Sequence, residues 1–215
     1  MITNLTNEEI KYKKFFGRVL CIDEVNVFSY FGEIFVCGVI IPEKAIIPVN
    51  DSKKLNEKQI EEIGNILKNN LEHYIDKVNI KECNKNYLLG EYKAIIRIIK
   101  KAKPQAVIID YHTIPNLCRN IKKNIWQIGY YKADEKLYSV ACASVIAKLE
   151  FNNYWKNFIA KYPVYNTTGK GTLIRKCIEP IIKYGYLPKY HRINWIKSAL
   201  ETMGLSIKLK ERRLI

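Results

Sequence analysis

The sequence predicts an α/β protein with a helical C-terminal appendage. Two apolar runs, 19–22 and 106–109, are too continuous to be half-solvated strands, and an aspartate follows each of them. Segments with apolar residues at helical spacing lie between and after these runs. A continuous apolar strand that follows a helix is typical of a parallel strand covered on both faces. We therefore expect helices packed on a sheet.

Turn, cap and periodicity signals define the individual elements. Asn56 and Gln59 form a capping-box pattern before an apolar helical face, and Pro104 ends the next predicted helix. In order, we predict a partly helical extension over 1–17, a strand ending at Asp23 and Glu24, one or two antiparallel strands over 29–41, a helix from Asn56, a strand over 73–80, a helix over 85–101, a strand over 105–110, a short helix over 114–123, a strand over 125–131, a long helix over 134–162, and helices reaching about 185 and over 192–203.

The length of 215 residues, 48% of them hydrophobic, suits one good-sized core. We predict an N-terminal extension (1–17), a core (18–162) and a helical C-terminal region (163–215) that is part of the same domain or a small appendage. No stretch reaches the roughly 18 apolar residues of a membrane span. The polar N-terminus lacks the apolar centre of a signal peptide. We therefore expect a cytoplasmic protein that does not bind membranes.

The charge balance indicates a polyanionic partner. Lysine and arginine outnumber aspartate and glutamate by 36 to 21, which gives a formal net charge of +15. Such an excess is typical of proteins that neutralise phosphates on nucleic acid. The alternative is that a composition rich in lysine, asparagine and isoleucine reflects only an AT-biased genome. Nucleic acid is the partner we expect, bound by a monomer.

Four carboxylates follow strands or begin a helix. Asp23 and Glu24 end the first apolar run, Asp110 ends the second, and Asp134 begins the long helix. Sites in α/β proteins are usually built at the carboxyl ends of strands. Neighbours on a regular strand point to opposite faces, so Asp23 and Glu24 share a site only if the strand ends or bends between them. The alternatives are a strand running into a polar loop and, for Asp134, an ordinary helix N-cap.

The ordered motifs of the chain resemble those of the type 2 ribonuclease H family, ribonucleases HII and HIII. The resemblance covers about residues 18 to 196, and its specificity comes from the order and spacing of individually weak motifs. The motifs are Ile22-Asp23-Glu24, residues 51–55 (Asp-Ser-Lys-Lys-Leu), Ile109-Asp110, Lys132-Ala133-Asp134, residues 141–148 (Ala-Cys-Ala-Ser-Val-Ile-Ala-Lys), residues 169–172 (Gly-Lys-Gly-Thr) and Tyr190-His191-Arg192.

The resemblance implies a ribonuclease H-like fold, with a mixed five-stranded sheet flanked by helices and a C-terminal part that helps to grip a duplex. It implies that Asp23, Glu24, Asp110 and Asp134 bind two divalent ions, Mg²⁺ or Mn²⁺, and are the catalytic residues. The implied activity is endonucleolytic hydrolysis of the RNA strand of RNA/DNA hybrids, leaving 5′-phosphate and 3′-hydroxyl ends. A few carboxylates with substrate phosphate are the usual ligands of Mg²⁺.

The resemblance also implies a set of nucleic-acid contacts. For the two lysines of the 51–55 motif, the alternative is a solvated basic turn. For His191 and Arg192, phosphate contact and a role in holding the last helix are equally open. The implied contact residues are Asn26, Val27, Phe28, Ser52, Lys53, Lys54, Lys148, Lys170, His191 and Arg192.

Two motifs depart from the family pattern. The family has a Gly-Arg-Gly or Gly-Lys-Gly motif whose backbone approaches the ribonucleotide 2′-hydroxyl, and this chain has Asn26, Val27 and Phe28 there. Val27 and Phe28 lack the conformational freedom of glycine. The sugar-packing tyrosine of ribonuclease HII is replaced by Lys170. Residues 30–32, Tyr-Phe-Gly, are instead more similar to the HIII subgroup, so the subgroup stays open.

Three functional hypotheses follow. The first is a divalent-metal-dependent endoribonuclease acting on RNA/DNA hybrids. The second is a nuclease of the same fold whose discrimination against DNA has changed, because the contacts that distinguish RNA from DNA are altered. The third is a nucleic-acid-binding protein without turnover. Retention of all four carboxylates weighs against the third, because clustered like charges repel and confer no stability.

Overall fold

A computed structural model describes residues 1–110, 125–165, 174–205 and 210–211, with backbone alone at 174–177 and 179. Within these ranges, one mixed sheet has the strand order β3-β2-β1-β4-β5. Pairing is antiparallel from β1 to β2 and from β2 to β3, and parallel from β1 to β4 and from β4 to β5. The strands are β1 (Val19–Val25), β2 (Ile34–Ile40), β3 (His73–Val78), β4 (Ala106–Asp110) and β5 (Trp126–Tyr130). The prediction of a mixed five-stranded α/β sheet is confirmed.

The helix predicted from Asn56 begins after that residue, whereas the helix predicted over 85–101 is wrong at its start, because it begins at Ile80 after an Asn79 cap. Thr6, Asn56 and Asn79 each form a capping box with an acid or glutamine three residues later. The described helices are α1 (Asn7–Phe16), α2 (Glu57–Asn70), α3 (Ile80–Ala102), α4 (Ala133–Lys136), α5 (Tyr138–Lys161), α6 (Ile174–Tyr184) and α7 (Ile193–Thr202), with a 3₁₀ turn over Ser52–Lys54. The short helix predicted over 114–123 lies outside the described residues.

The long helix predicted over 134–162 is wrong at its start. Leu137 has an extended backbone, with φ −114° and ψ 127°, and separates α4 from α5. The buried carboxylate of Glu9 accepts hydrogen bonds from the backbone N–H groups of Tyr138 (3.0 Å) and Ser139 (2.7 Å). These donors have no partner within their own helix. A side chain from the N-terminal segment therefore caps α5 and stabilises the break.

Helices cover both faces of the sheet. The side chains of α3 pack with Leu20 and Ile22 of β1, whereas α5 packs with Val19 and Cys21 on the opposite face. Small residues of α5 allow this close approach, and Ala141, Ala143 and Ala147 are all fully buried. An aromatic cluster joins the C-terminal helices to α5 and the end of β1. Its larger members are Phe31, Phe151, Trp155, Phe158 and Tyr165.

Within the part of the chain that the structure describes, no helix combines the length and apolarity needed to cross a bilayer.

Candidate active site

The register of the two central strands places Asp23 beside Asp110. Ile22 of β1 pairs with Ile109 of β4, and the next residue on each strand is an aspartate. Neighbouring strands lie about 4.8 Å apart, and laterally paired positions point to the same face. A continuous apolar run on each strand thus delivers one carboxylate to the same edge of the sheet. This is the arrangement expected from the carboxyl ends of parallel strands.

Asp23 is held from the α5 side of β1. It is buried and hydrogen-bonded by Ser144, whose Oγ lies 2.9 Å from the Oγ of buried Ser52. A hydroxyl has one proton to donate, so Ser52 donates to Ser144 when Ser144 donates to Asp23. Burial, together with the charges of Asp134 and Asp110, raises the pKa of Asp23 to about 7. Ser52 therefore supports the carboxylate through Ser144 and is itself enclosed by protein.

Glu24 follows Asp23 within β1, and the strand continues to Val25 without ending between the two acids. Burial raises the pKa of Glu24, and the charges of Asp23, Glu91 and Asp110 add to the effect. Glu91 is a fully buried residue of α3, and burial together with the charge of Asp23 raises its pKa to about 7. The charges of Asp23, Glu24, Glu91 and Asp110 thus influence one another around β1, which does not end between Asp23 and Glu24.

Asp134 reaches the same region from α4. Its alternative role as an N-cap is wrong, because the N-cap of α4 is Lys132 and Asp134 lies inside the helix. Asp134 is buried, and its Oδ2 lies 3.2 Å from the Nζ of Lys53. Burial and the charge of Asp110 raise the pKa of Asp134 despite this ion pair. The backbone N–H of Ala133 donates to Asp110 at 3.0 Å, which ties α4 to the end of β4.

We call Asp23, Glu24, Asp110 and Asp134 the acidic cluster. Among the described residues, no group of three or more acidic, histidine or cysteine side chains already has its atoms arranged to hold a metal ion. The donor set nevertheless suits one. Burial and mutual repulsion raise the pKa of Asp23, Glu24 and Asp134, so a dication among them relieves an electrostatic cost. Carboxylate oxygens are the ligands preferred by Mg²⁺ and Mn²⁺.

The loop that follows β1 is fixed by its own asparagine. Asn26 has a positive φ of 72°, a conformation that asparagine tolerates better than most residues. Its Nδ2 donates to the backbone carbonyls of Phe31 (2.8 Å) and Glu33 (2.9 Å). Val27 is buried in the core, while the side chain of Phe28 is 66% exposed. The departure from a glycine motif is thus accommodated at Asn26, and Val27 and Phe28 need no left-handed conformation.

Arg192, at the start of α7, forms hydrogen bonds with the same loop. Its buried guanidinium donates to the carbonyls of Asn26 (2.6 Å), Val27 and Gly32 (2.9 Å). His191 is also buried, and its Nδ1 accepts from the backbone N–H of Leu187 at 2.7 Å. With both side chains enclosed, the structure favours the positioning role for this pair over direct phosphate contact.

The remaining predicted contact residues differ in exposure. Lys53 and Lys54 are exposed on the 3₁₀ turn beside Asp134. Lys148 is half-buried on α5, with its Nζ 5.7 Å from the ring centre of Phe151. Lys170 lies outside the described residues. The two exposed lysines are therefore the basic side chains best placed to meet a phosphate near the acidic cluster.

Sequence reasoning did not identify Glu91 or Ser144 as parts of this site. Ser144 belongs to the 141–148 motif, but the motif itself does not indicate a contact with Asp23. Glu91 is a charged residue on the same helical face as the buried Ala94, Ile95 and Ile98. A charge within an apolar stripe was the available signal, because such a residue is rarely buried without a specific environment.

Comparisons with known proteins show the family to which the chain belongs. A sequence model described as Ribonuclease HII matches residues 20–198. Ribonuclease HII of Caldicellulosiruptor bescii is 34% identical over 195 residues, covering 85% of this chain and 89% of that protein. Ribonuclease HII of Clostridioides difficile is 32% identical over 196 residues, covering 88% and 74% respectively.

Solved structures show the same fold. The ribonuclease H2 of Pyrococcus horikoshii superposes with a TM-score of 0.72 at 22% identity, over 87% of this chain and 99% of that one. The structure of Bst-RNase HIII in complex with Mn²⁺ gives a TM-score of 0.61 at 20% identity, over 86% and 70%. The matched stretch includes the acidic cluster and the loop that Arg192 holds. The chain therefore belongs to the ribonuclease HII family of endoribonucleases.

Proposed function

We propose that the protein is a divalent-metal-dependent endoribonuclease that hydrolyses the RNA strand of RNA/DNA hybrids. The observation that carries the proposal is the convergence of Asp23, Glu24, Asp110 and Asp134 at one edge of the sheet. Family membership supports the class of reaction. The Mn²⁺ bound in the related Bst-RNase HIII structure supports the use of divalent ions.

The acidic cluster supplies the ligands in this proposal. These carboxylates would hold a pair of divalent ions, which would supply the charge stabilisation that in-line displacement at phosphorus needs. In the reaction, water adds to phosphorus and the bond to the 3′ oxygen breaks, leaving a 5′-phosphate and a 3′-hydroxyl. Ser144 and the N–H of Ala133 hold Asp23 and Asp110 in place. Lys53 balances the charge of Asp134, and its exposed ammonium group would meet the backbone of a strand bound at the acidic cluster.

Replacing Asp110 with asparagine tests this proposal. Asp110→Asn keeps an oxygen that accepts from the backbone N–H of Ala133 but removes the negative charge. Hydrolysis of an RNA/DNA hybrid should therefore fall by more than about 100-fold, a larger loss than is usual when a residue that only orients a metal ligand is replaced. Affinity for the hybrid, measured in EDTA by fluorescence anisotropy, should change by less than about threefold because basic residues supply it. A mutant that cuts as fast as the wild type contradicts the proposal.

The matched control is Glu135→Gln, which alters an exposed acid next to Asp134 that pairs with Lys132 at 3.4 Å. This variant should retain wild-type hydrolysis. If Glu135→Gln loses activity to the same extent as Asp110→Asn, the effect is not specific to the acidic cluster and the proposal is contradicted.

A second candidate is a nuclease of the same fold with altered discrimination. The observation that favours it is the loop at Asn26, Val27 and Phe28, where side chains occupy the place of two glycines. Cleavage of matched RNA/DNA hybrid, double-stranded RNA and double-stranded DNA separates the candidates. Cutting confined to the hybrid supports the first, and comparable cutting of a second duplex supports the altered specificity.

A further inference from the structure

Four aromatic side chains pack together around Trp195, beyond the end of β1. Phe28 follows Glu24 by four residues and lies 6.3 Å, between ring centres, from Trp195 of α7. Trp195 also contacts Tyr30 (6.3 Å) and Tyr87 of α3 (5.2 Å). We call these four residues the aromatic surface. It connects the loop after β1 with two helices from distant parts of the chain.

Phe28 is the exposed member of this surface and it stands on a rigid base. Its side chain is 66% exposed, while the preceding Val27 is anchored in the core. Arg192 holds the carbonyls of Asn26 and Val27, which immediately precede the ring. An exposed phenylalanine is costly in water, and a rigid one loses little conformational freedom when it binds. The loop therefore presents an apolar ring already fixed in position.

The charge around the aromatic surface indicates what covers it. The whole chain carries +15, and the helices that supply Tyr87 and Trp195 also carry the exposed lysines Lys85 and Lys197. Aromatic rings with interspersed basic residues are the features by which proteins bind nucleic-acid strands, whose bases and sugars offer apolar faces between phosphates. Phe28 is four residues from Glu24, and four residues span at most about 14 Å, so a strand bound at the acidic cluster lies within reach of the ring.

We propose that Phe28 contacts the substrate, packing its ring on the apolar face of a nucleotide next to the acidic cluster. This inference rests on the proposed function, because the nucleotide belongs to the strand that is cut. Arg192 is a positioning residue in this arrangement, since it touches the loop carbonyls and is itself enclosed.

The test measures binding in EDTA, apart from hydrolysis, using Phe28→Ala and Phe28→Trp. Phe28→Ala should weaken affinity for an RNA/DNA hybrid by about 10-fold, the order expected from losing one aromatic contact with a nucleotide. Phe28→Trp should restore affinity, and its additional tryptophan fluorescence should decrease when the hybrid binds. The control Phe15→Ala removes a 79% exposed ring from α1 and should leave affinity unchanged.

Hybrids with a single abasic position distinguish packing of the Phe28 ring on a base from packing on a sugar. If the ring packs on a base, one abasic position removes the difference between the wild type and Phe28→Ala. If the ring packs on a sugar, the difference persists in every abasic hybrid.

Two results overturn the inference while leaving the proposed function intact. One is wild-type affinity and hydrolysis in Phe28→Ala, which assigns the aromatic surface to something other than the substrate. The other is an equal loss in Phe15→Ala, which makes the effect nonspecific. If the wild-type protein neither binds nor cuts the hybrid, the proposed function itself is contradicted. This outcome differs from the two results that contradict only the role of Phe28.

Discussion

The imidazole of His191 is buried between aromatic rings in its neutral form. Its ring centre lies 5.3 Å from that of Phe31 and 5.3 Å from that of Tyr165. Burial lowers its pKa to about 4, against 6.5 for the free side chain, although the backbone at Leu187 partly opposes the shift. Between these two values the unfolded state binds a proton that the folded state does not. Stability is therefore complete above pH 6.5 and decreases as the pH falls towards 4.

Replacing His191 with asparagine should remove this dependence. The asparagine oxygen can accept from Leu187 in place of Nδ1 and cannot be protonated in this range. Between pH 6.5 and 4, the wild type should lose about 3 kcal/mol more free energy of unfolding than His191→Asn, from a shift of more than two pKa units. Urea denaturation at a series of pH values measures both losses. Parallel pH profiles for the two proteins contradict the buried neutral imidazole.

At the residue level, the sequence was informative where a charge interrupts an apolar run. Asp23 and Asp110 were predicted as site residues because a strand pattern ends at each, and the register places them side by side. The contributions of Glu91 and Ser144 depend on which helix covers which face of β1. Spacing along one element carries no information about a hydrogen bond to another element. These residues could be found only after the helices were packed.

At the level of elements, α5 depends on a cap from outside its own segment. Glu9→Gln replaces one of two carboxylate oxygens with an NH₂ group that faces the backbone donors of Tyr138 and Ser139. Losing these charge-assisted bonds should lower the free energy of unfolding by about 2 kcal/mol. The melting temperature should fall by about 4–8 °C for a chain of this size.

Differential scanning calorimetry of Glu9→Gln measures the effect. Glu62→Gln serves as the control, because it changes an exposed carboxylate 3.8 Å from Lys58, a surface pair worth a few tenths of a kcal/mol. Equal melting temperatures for the two variants are incompatible with a trans cap on α5.

Helix starts were predictable where the cap is local, and the interruption at Leu137 was not. The capping boxes at Asn56 and Thr6 involve residues three apart, so the sequence alone indicates them. The cap on α5 joins residues 129 and 130 positions apart. Helical periodicity continues through Leu137, which is itself buried, and therefore predicts one uninterrupted helix.

For the whole molecule, the excess of 15 positive charges makes salt the main determinant of nucleic-acid affinity. Each phosphate contact releases counterions, and four such contacts predict a loss of affinity of about 150-fold between 50 and 200 mM salt. Fluorescence anisotropy titrations in EDTA at several salt concentrations measure the slope of log affinity against log salt.

Single lysines test where those contacts lie. Lys53→Ala removes an exposed charge beside Asp134 and should reduce the slope by about one. Lys44→Ala removes an exposed charge just after the end of β2, near the start of β1, and should leave the slope unchanged. An unchanged slope for Lys53→Ala places the bound strand elsewhere.

The overall architecture was largely predictable, because the antiparallel strands of the first third and the parallel strand at 106–110 follow directly from apolar patterns. How the C-terminal helices join the sheet was not predictable. That junction is an aromatic cluster drawn from β2, α5 and the C-terminal segment, and no periodic pattern links these stretches. The resemblance of ordered motifs indicated a grip on the duplex and included Arg192, but it did not indicate the loop carbonyls to which this arginine donates.

The bond from Arg192 to Asn26 spans 166 positions of the chain. On a ribosome, the residues of β1 emerge early and begin to fold, whereas Arg192 is added 166 positions after Asn26. The loop after β1 therefore lacks the hydrogen bonds of this arginine long after its own residues have been made. Folding of the loop, and of the aromatic surface that it carries, waits for the synthesis of α7.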